Sequence, residues 1–210
     1  MSDFYTPQIE FENETEINRS RFICSVKHID NEEQAKEYIQ EIRRRYPLAS
    51  THCYAYIADD NGFIQKFSDA GEPQGTAGMP MLSVLKNKKC HRTVAVVTRY
   101  FGGIKLGARG LVRAFSGAVA ECLEKCGLKK VEHAVNFNVY CDYDMYSKIV
   151  TALPNFGFTV LSTDFDERVK LRLTARKHGD DTTAEIEKNL LNFTNGKATI
   201  EWLPEDMRIF

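Results

Sequence analysis

The stretch RTVAVVTRYFGGIKLGARGLVRAFSGAVAECLEKCG, residues 92–127, reads as a strand, a glycine-rich loop and a helix in direct succession. The β-branched and aromatic run up to Phe101 is apolar enough for a central strand. In the helix, Leu111, Phe115, Ala118, Val119 and Cys122 recur on one face at helical spacing, and Arg109, Arg113 and Ser116 lie nearly opposite. Gly127 follows as a stop signal. One side of this helix is built to be buried, and the other presents arginines.

The upstream chain supplies elements that can pack on such a strand. RFICSVKHI is an extended, mostly alternating run, and DNEEQAKEYIQEIRRRYP reads as a helix capped by Asp30, with Glu33 in a capping box and Pro47 as its stop. THCYAYIAD and GFIQKFS read as a hairpin turning at DDNG, and MPMLSVLKN as a short helix. From about Val135 the order becomes strand, helix, strand, strand, helix, strand: NFNVYC, DYDMYSKIVTALPNFG, FTVLST, RVKLRLTAR, DDTTAEIEKNLLNFTNG and KATIEWL. The expected fold is therefore α+β, a first domain over residues 1–134 followed by a ferredoxin-like domain over 135–210, with no long linker at KKVEHAV.

Composition narrows the function classes. A chain of 210 residues with 43% hydrophobic and 27% charged residues is ordinary for a globular protein, and no apolar run approaches the roughly 18 residues of a membrane helix. The acidic start MSDFYTPQIEFENETEI lacks the apolar core of a secretory signal, so a cytoplasmic protein with no membrane partner is expected. Its six cysteines form no CxxC pair and are expected as buried thiols; no metal and no cofactor is expected. The net charge of −1 conceals an asymmetry: from Pro73 to Ala120 there is no acid, and Lys86, Lys88, Lys89, Arg92, Arg99, Lys105, Arg109 and Arg113 supply eight positive charges.

Two motifs carry candidate chemistry. In GGIKLGARG, Gly102, Gly103, Gly107 and Gly110 lie between strand and helix, where backbone N–H groups and the helix N-terminus can meet an anion. The spacing fits neither GxGxxG nor a P-loop. Lys105, Arg109 and Arg113 can add charge-assisted contacts to phosphate, although a tight turn with solvated arginines uses the same residues. In DAGEPQGTAGMP, residues 69–80, Asp69 and Glu72, with His52 nearby, are candidates for catalysis or metal binding, and equally for capping a turn or pairing with arginines. Gly75 and Thr76 of GTAG are candidates for a second wall of the anion site. Neither a Gly-x-Ser-x-Gly elbow nor a cysteine in a nucleophile context is present, which argues against covalent catalysis. Tyr100 and Phe101 could stack on bases; at the end of an apolar strand, the core reading is favoured.

The blocks FSDAGEPQGTAGMPML and VAVVTRYFGGIKLGARGLVRAFSGA closely resemble the YigZ/IMPACT family, and the resemblance runs from SRFICSV through the C-terminal domain. It implies an N-terminal α/β sandwich similar to the second domain of a small-subunit ribosomal protein and a C-terminal ferredoxin-like domain similar to those near the C-terminus of elongation factor G. In that reading Arg99, Gly102, Gly103, Lys105, Gly107, Gly110 and Arg113 form a shared surface, with Asp69, Glu72, Gly75 and Thr76 beside it. Arg109 stands where the family often has glycine, and Ala70 where it often has an acid. The expected partner is RNA or the ribosome, in a translation-related binding role. The alternatives are a small-molecule hydrolase or phosphate-ester enzyme with its site between DAGEPQGTAG and GGIKLG, and a protein-interaction module.

Overall fold

In the computed structural model, which describes residues 3–209, the chain forms two compact units, 1–130 and 131–210. The strand expected over residues 92–101 is β6 (Thr93–Tyr100), the middle of a five-stranded antiparallel sheet in unit 1. Its order is β2 (Phe11–Ile17), β3 (Ser20–His28), β6, β4 (Thr51–Ile57), β5 (Gln65–Ser68). Every residue of β6 before Tyr100 is buried, because helices cover both faces. Val94 and Val96 meet Tyr38, Ile39 and Ile42 of α1 (Glu32–Arg45) on one face. On the other, Ala95 and Val97 join Phe22 and Cys53 under α2 (Gly78–Asn87) and α3 (Gly107–Cys126). Phe22 meets Phe115 edge-on at 5.3 Å, an arrangement worth about 0.5–1.5 kcal/mol beyond the area it buries.

The start of α1 departs from the expected cap by one residue. Asn31 is the N-cap and accepts from Gln34 N–H at 2.9 Å, and Gln34 Oε1 accepts from Asp30 N–H at 2.9 Å. The arrangement is a variant of the capping box in which Asn31 takes the Gln34 N–H and Gln34 reaches back one residue past the cap to Asp30, in place of the expected Asp30 and Glu33. The acidic start also folds: β1 (Phe4–Pro7) and β2 precede β3, and in β2 Glu12, Glu14 and Glu16 face out while Phe11, Asn13, Thr15 and Ile17 are half-buried. β4 and β5 pair as a hairpin whose loop, residues 58–64, is closed by the Asp59 carboxylate on the N–H groups of Phe63 and Ile64.

Unit 2 follows the order β–α–β–β–α–β. The strand β7 (Leu128–Cys141) begins before the division between units, so no linker separates them in sequence. Then come α4 (Tyr143–Ala152) with a 3₁₀ turn (Leu153–Phe156), β8 (Thr159–Phe165), β9 (Val169–Arg176), α5 (Thr182–Thr194) and β10 (Thr199–Ile209). The strands lie in the order β10, β7, β9, β8, all antiparallel. Val135, Phe137, Val139, Leu171 and Leu173 pack with Ile149 of α4 and Leu190 of α5. All six cysteines are free and buried, and no helix among the described residues is long and apolar enough to cross a membrane.

Candidate functional site

Side-chain alternation on β4 and β6 distributes the candidate residues. Cys53 and Val97 point to the α2/α3 face, so Thr51 and Arg99, two residues away on the same strands, share it. There Arg99 Nη1 donates to both Glu72 oxygens, at 2.9 and 2.6 Å, and the Thr51 hydroxyl donates to Glu72 Oε1 at 2.9 Å. The Glu72 and Arg99 side chains are only 5% and 8% exposed. The guanidinium also lies 5.4 Å from the ring centres of both Phe22 and Phe101. Its Nε is buried with no hydrogen-bond partner.

His52 has the opposite parity and faces the α1 side, where its Nε2 lies 3.1 Å from the Tyr46 carbonyl oxygen. Burial pushes its pKa down from the usual histidine value. The sheet therefore separates His52 from Glu72, and among the described residues no three His, Cys, Asp or Glu side chains gather as a metal site. Asp69 is occupied as well: its carboxylate accepts from the N–H groups of Gly75 at 2.8 Å, Ala77 at 3.0 Å and Gly78 at 2.8 Å. Burial alone would raise its pKa, but these three bonds hold the carboxyl below the ordinary aspartate value. The Thr76 hydroxyl and N–H both donate to Pro73 O. The donors of GTAG thus close upon the loop itself, which leaves the charged surface to the start of α3.

That surface is open. Lys105, Arg109 and Arg113 are exposed and, among the described residues, take part in no ion pair, unlike Arg92, which pairs with Asp60. Arg109 and Arg113 are one helical turn apart on α3. The helix begins without a side-chain cap and without an acid in its first turn, so its terminal N–H groups and partial positive charge are left to a ligand or water. Its approach is shaped by two glycines with different tasks. A Cβ on Gly102 would lie 2.0 Å from the backbone carbonyl of Arg19, so only glycine fits where the loop crosses the β2–β3 turn; Gly107 turns into the helix at φ 68°.

Between the Glu72–Pro73 turn and this helix start lies a cleft of about 400 Å³, lined by Arg99, Phe101, Lys105, Leu106 and Leu111 among others. Glu72 and the GGIKLG loop share it. Phe101, placed in the core on sequence grounds, is 49% exposed. It lies just beyond β6, where strand alternation no longer fixes its direction, and the adjacent glycine pair is the signal that could have placed it on a loop.

Unit 1 thus carries a basic helix edge and a glycine-shaped cleft, with its nearest acids already engaged. A family model, the Impact N-terminal domain, matches residues 18–123. The chain is 37% identical to the IMPACT family member YvyE of Bacillus subtilis (strain 168), covering 96% of this chain and 91% of that one. It is 36% identical to the IMPACT family member YigZ of Escherichia coli (strain K12), over 86% and 88%. A solved structure described as that of a hypothetical protein is 32% identical, covers 97% of this chain and 98% of that chain, and superimposes with a TM-score of 0.62. The chain belongs to the IMPACT family.

Proposed function

We propose that this protein binds RNA, free or within the ribosome, through the basic edge of unit 1, in a role connected with translation. The observation that carries this reading is the exposed trio Lys105, Arg109 and Arg113, free of acid partners, beside the uncapped start of α3. Phosphates on a nucleic-acid backbone are the ligand that such a row of unpaired cations attracts, and helix N–H groups suit the same oxygens. The folds implied by the family resemblance, ribosomal-protein-like for the first unit and elongation-factor-like for the second, are in keeping with this reading. Glu72 and Asp69 serve to hold the surface in shape: the first orients Arg99, and the second closes the loop that precedes α2.

A hydrolase or phosphate-ester enzyme is favoured by one observation, that Glu72 and the glycine loop line a common cleft. Against it, Glu72 is held by Arg99 and Thr51, and His52 is across the sheet, which leaves no free base beside the cleft from that set. The deciding experiment is fluorescence binding to mixed cellular RNA and to purified ribosomes, with the wild type beside the Lys105→Ala, Arg109→Ala, Arg113→Ala triple variant. Binding that is salt-sensitive and lost in the folded variant supports the reading. Wild-type protein that binds neither target would overturn it.

A further inference from the structure

The cleft beside Phe101 offers more than positive charge. Gly107 and Ala108 of the first turn of α3 line it, together with Lys105 of the loop before the helix. The rest of the lining includes apolar surface, from Pro73 and from Leu106 and Leu111 at the start of α3, with the half-exposed ring of Phe101. Arg99 lies at the cleft with its charge fixed by Glu72 through Nη1 alone; Nε is buried and unpartnered, and Nη2 donates to nothing among the described residues. A buried guanidinium with unused donors, next to an uncapped helix N-terminus, is chemistry for an anion. The neighbouring aromatic and aliphatic surface is chemistry for a flat, apolar group. A volume of about 400 Å³ falls in the range of small-ligand sites.

We infer that this cleft is a nucleotide subsite: it takes one nucleoside 5′-phosphate unit, with the phosphate on the α3 N–H groups, Lys105 and the free edge of Arg99, and the base against Phe101. The inference rests on the RNA-binding reading and assigns one nucleotide of the bound strand to this place. It explains why the exposed aromatic and the exposed cations occur together, since charge alone needs no ring and a core aromatic needs no solvent exposure.

The test titrates full-length protein with adenosine 5′-monophosphate, adenosine and inorganic phosphate, following the Gly107 and Ala108 amides and the Phe101 ring by NMR. Single-stranded RNA binding is measured in parallel for the wild type, Phe101→Ala and Phe101→Trp, with circular dichroism to verify folding. The monophosphate is expected to shift both amides and ring, inorganic phosphate the amides alone, and adenosine neither amide. Phe101→Ala should weaken RNA and monophosphate about five-fold or more, the least expected for a lost base stack, and Phe101→Trp should restore both. RNA binding that persists undiminished in Phe101→Ala, with no amide response to the monophosphate, overturns the subsite and leaves the RNA reading standing. Monophosphate binding without RNA binding upholds the subsite with a free nucleotide as its ligand and overturns the RNA reading. Silence toward both ligands overturns both.

Discussion

Replacing Glu72 by alanine leaves the Arg99 guanidinium almost wholly out of water, with its Nη1 partner gone and Nε already unpaired. Removing one member of a buried ion pair costs about 3–5 kcal/mol, because the remaining charge keeps its desolvation penalty and loses the compensation. For a chain of this length that corresponds to a fall in melting temperature of about 6–20 °C. The loss of the Thr51 hydroxyl's acceptor adds to the same direction. The assay is urea and thermal unfolding by circular dichroism, with amide hydrogen exchange along β6 to locate the effect in unit 1. The exposed Arg21–Glu14 pair, 49% and 46% accessible, is the internal control, and Glu14→Ala should leave the transition in place. The double variant Glu72→Leu, Arg99→Met removes both charges together and should recover most of the loss. A Glu72→Ala protein as stable as the wild type, or a double variant whose effect is the sum of the singles, would refute the claim that this acid is spent on holding Arg99.

The loop glycines give a second contrast. Gly102→Ala forces a Cβ to within 2.0 Å of the Arg19 carbonyl and should lower stability by at least the ~1–3 kcal/mol of an overpacked core, whereas Gly103→Ala, at φ 84° with open space around it, should cost only the ~1–2 kcal/mol of a left-handed residue; urea midpoints compare the two. Asp69→Asn should lower stability at neutral pH by about 1–3 kcal/mol, because the amide cannot accept from Gly75, Ala77 and Gly78 as the carboxylate does. The folded-state pKa of Asp69 is depressed, so its stabilisation is full above the unfolded value of about 3.9 and is lost as pH falls through the folded value. The gap between wild type and Asp69→Asn should accordingly narrow in urea titrations at pH 3 relative to pH 7, and a gap independent of pH would count against the assignment.

Much of unit 1 was legible because its signals are local. The run through Val94–Val97 announces a strand covered on both faces, and the spacing of Leu111, Phe115, Ala118 and Cys122 fixes which side of α3 is buried and hence that Arg109 and Arg113 face out. The β2 strand was obscured because FENETEI alternates acids with only two strongly apolar residues; as an edge strand it needs one half-buried face, and its glutamates pair with β3, Glu14 with Arg21 and Glu12 with Ser25. Two adjacent polar residues, Asp30 and Asn31, could each cap α1, and the choice falls to whichever side chain reaches Gln34 N–H. Sequence proximity brought His52, Asp69 and Glu72 into one candidate set; which face of the sheet each side chain meets depends on strand register, and that depends on the pairing of Thr51 with Arg99 and His52 with Thr98. The glycine loop was recognisable as special backbone, but the reason for Gly102 lies in its contact with Arg19, 83 residues away in sequence.

The central claim concerns charge, and its most direct measurement is the slope of log binding constant against log salt for a single-stranded RNA oligonucleotide. Each phosphate contact adds about 0.7 to the magnitude of that slope on single strands, so neutralising Lys105, Arg109 and Arg113 should reduce it by about 2. Between 50 and 200 mM salt those three contacts alone account for a fall of about 18-fold in affinity. A triple variant that binds more weakly and with the shallower slope agrees with the account. Equal slopes for wild type and variant would contradict it and place any RNA contact elsewhere.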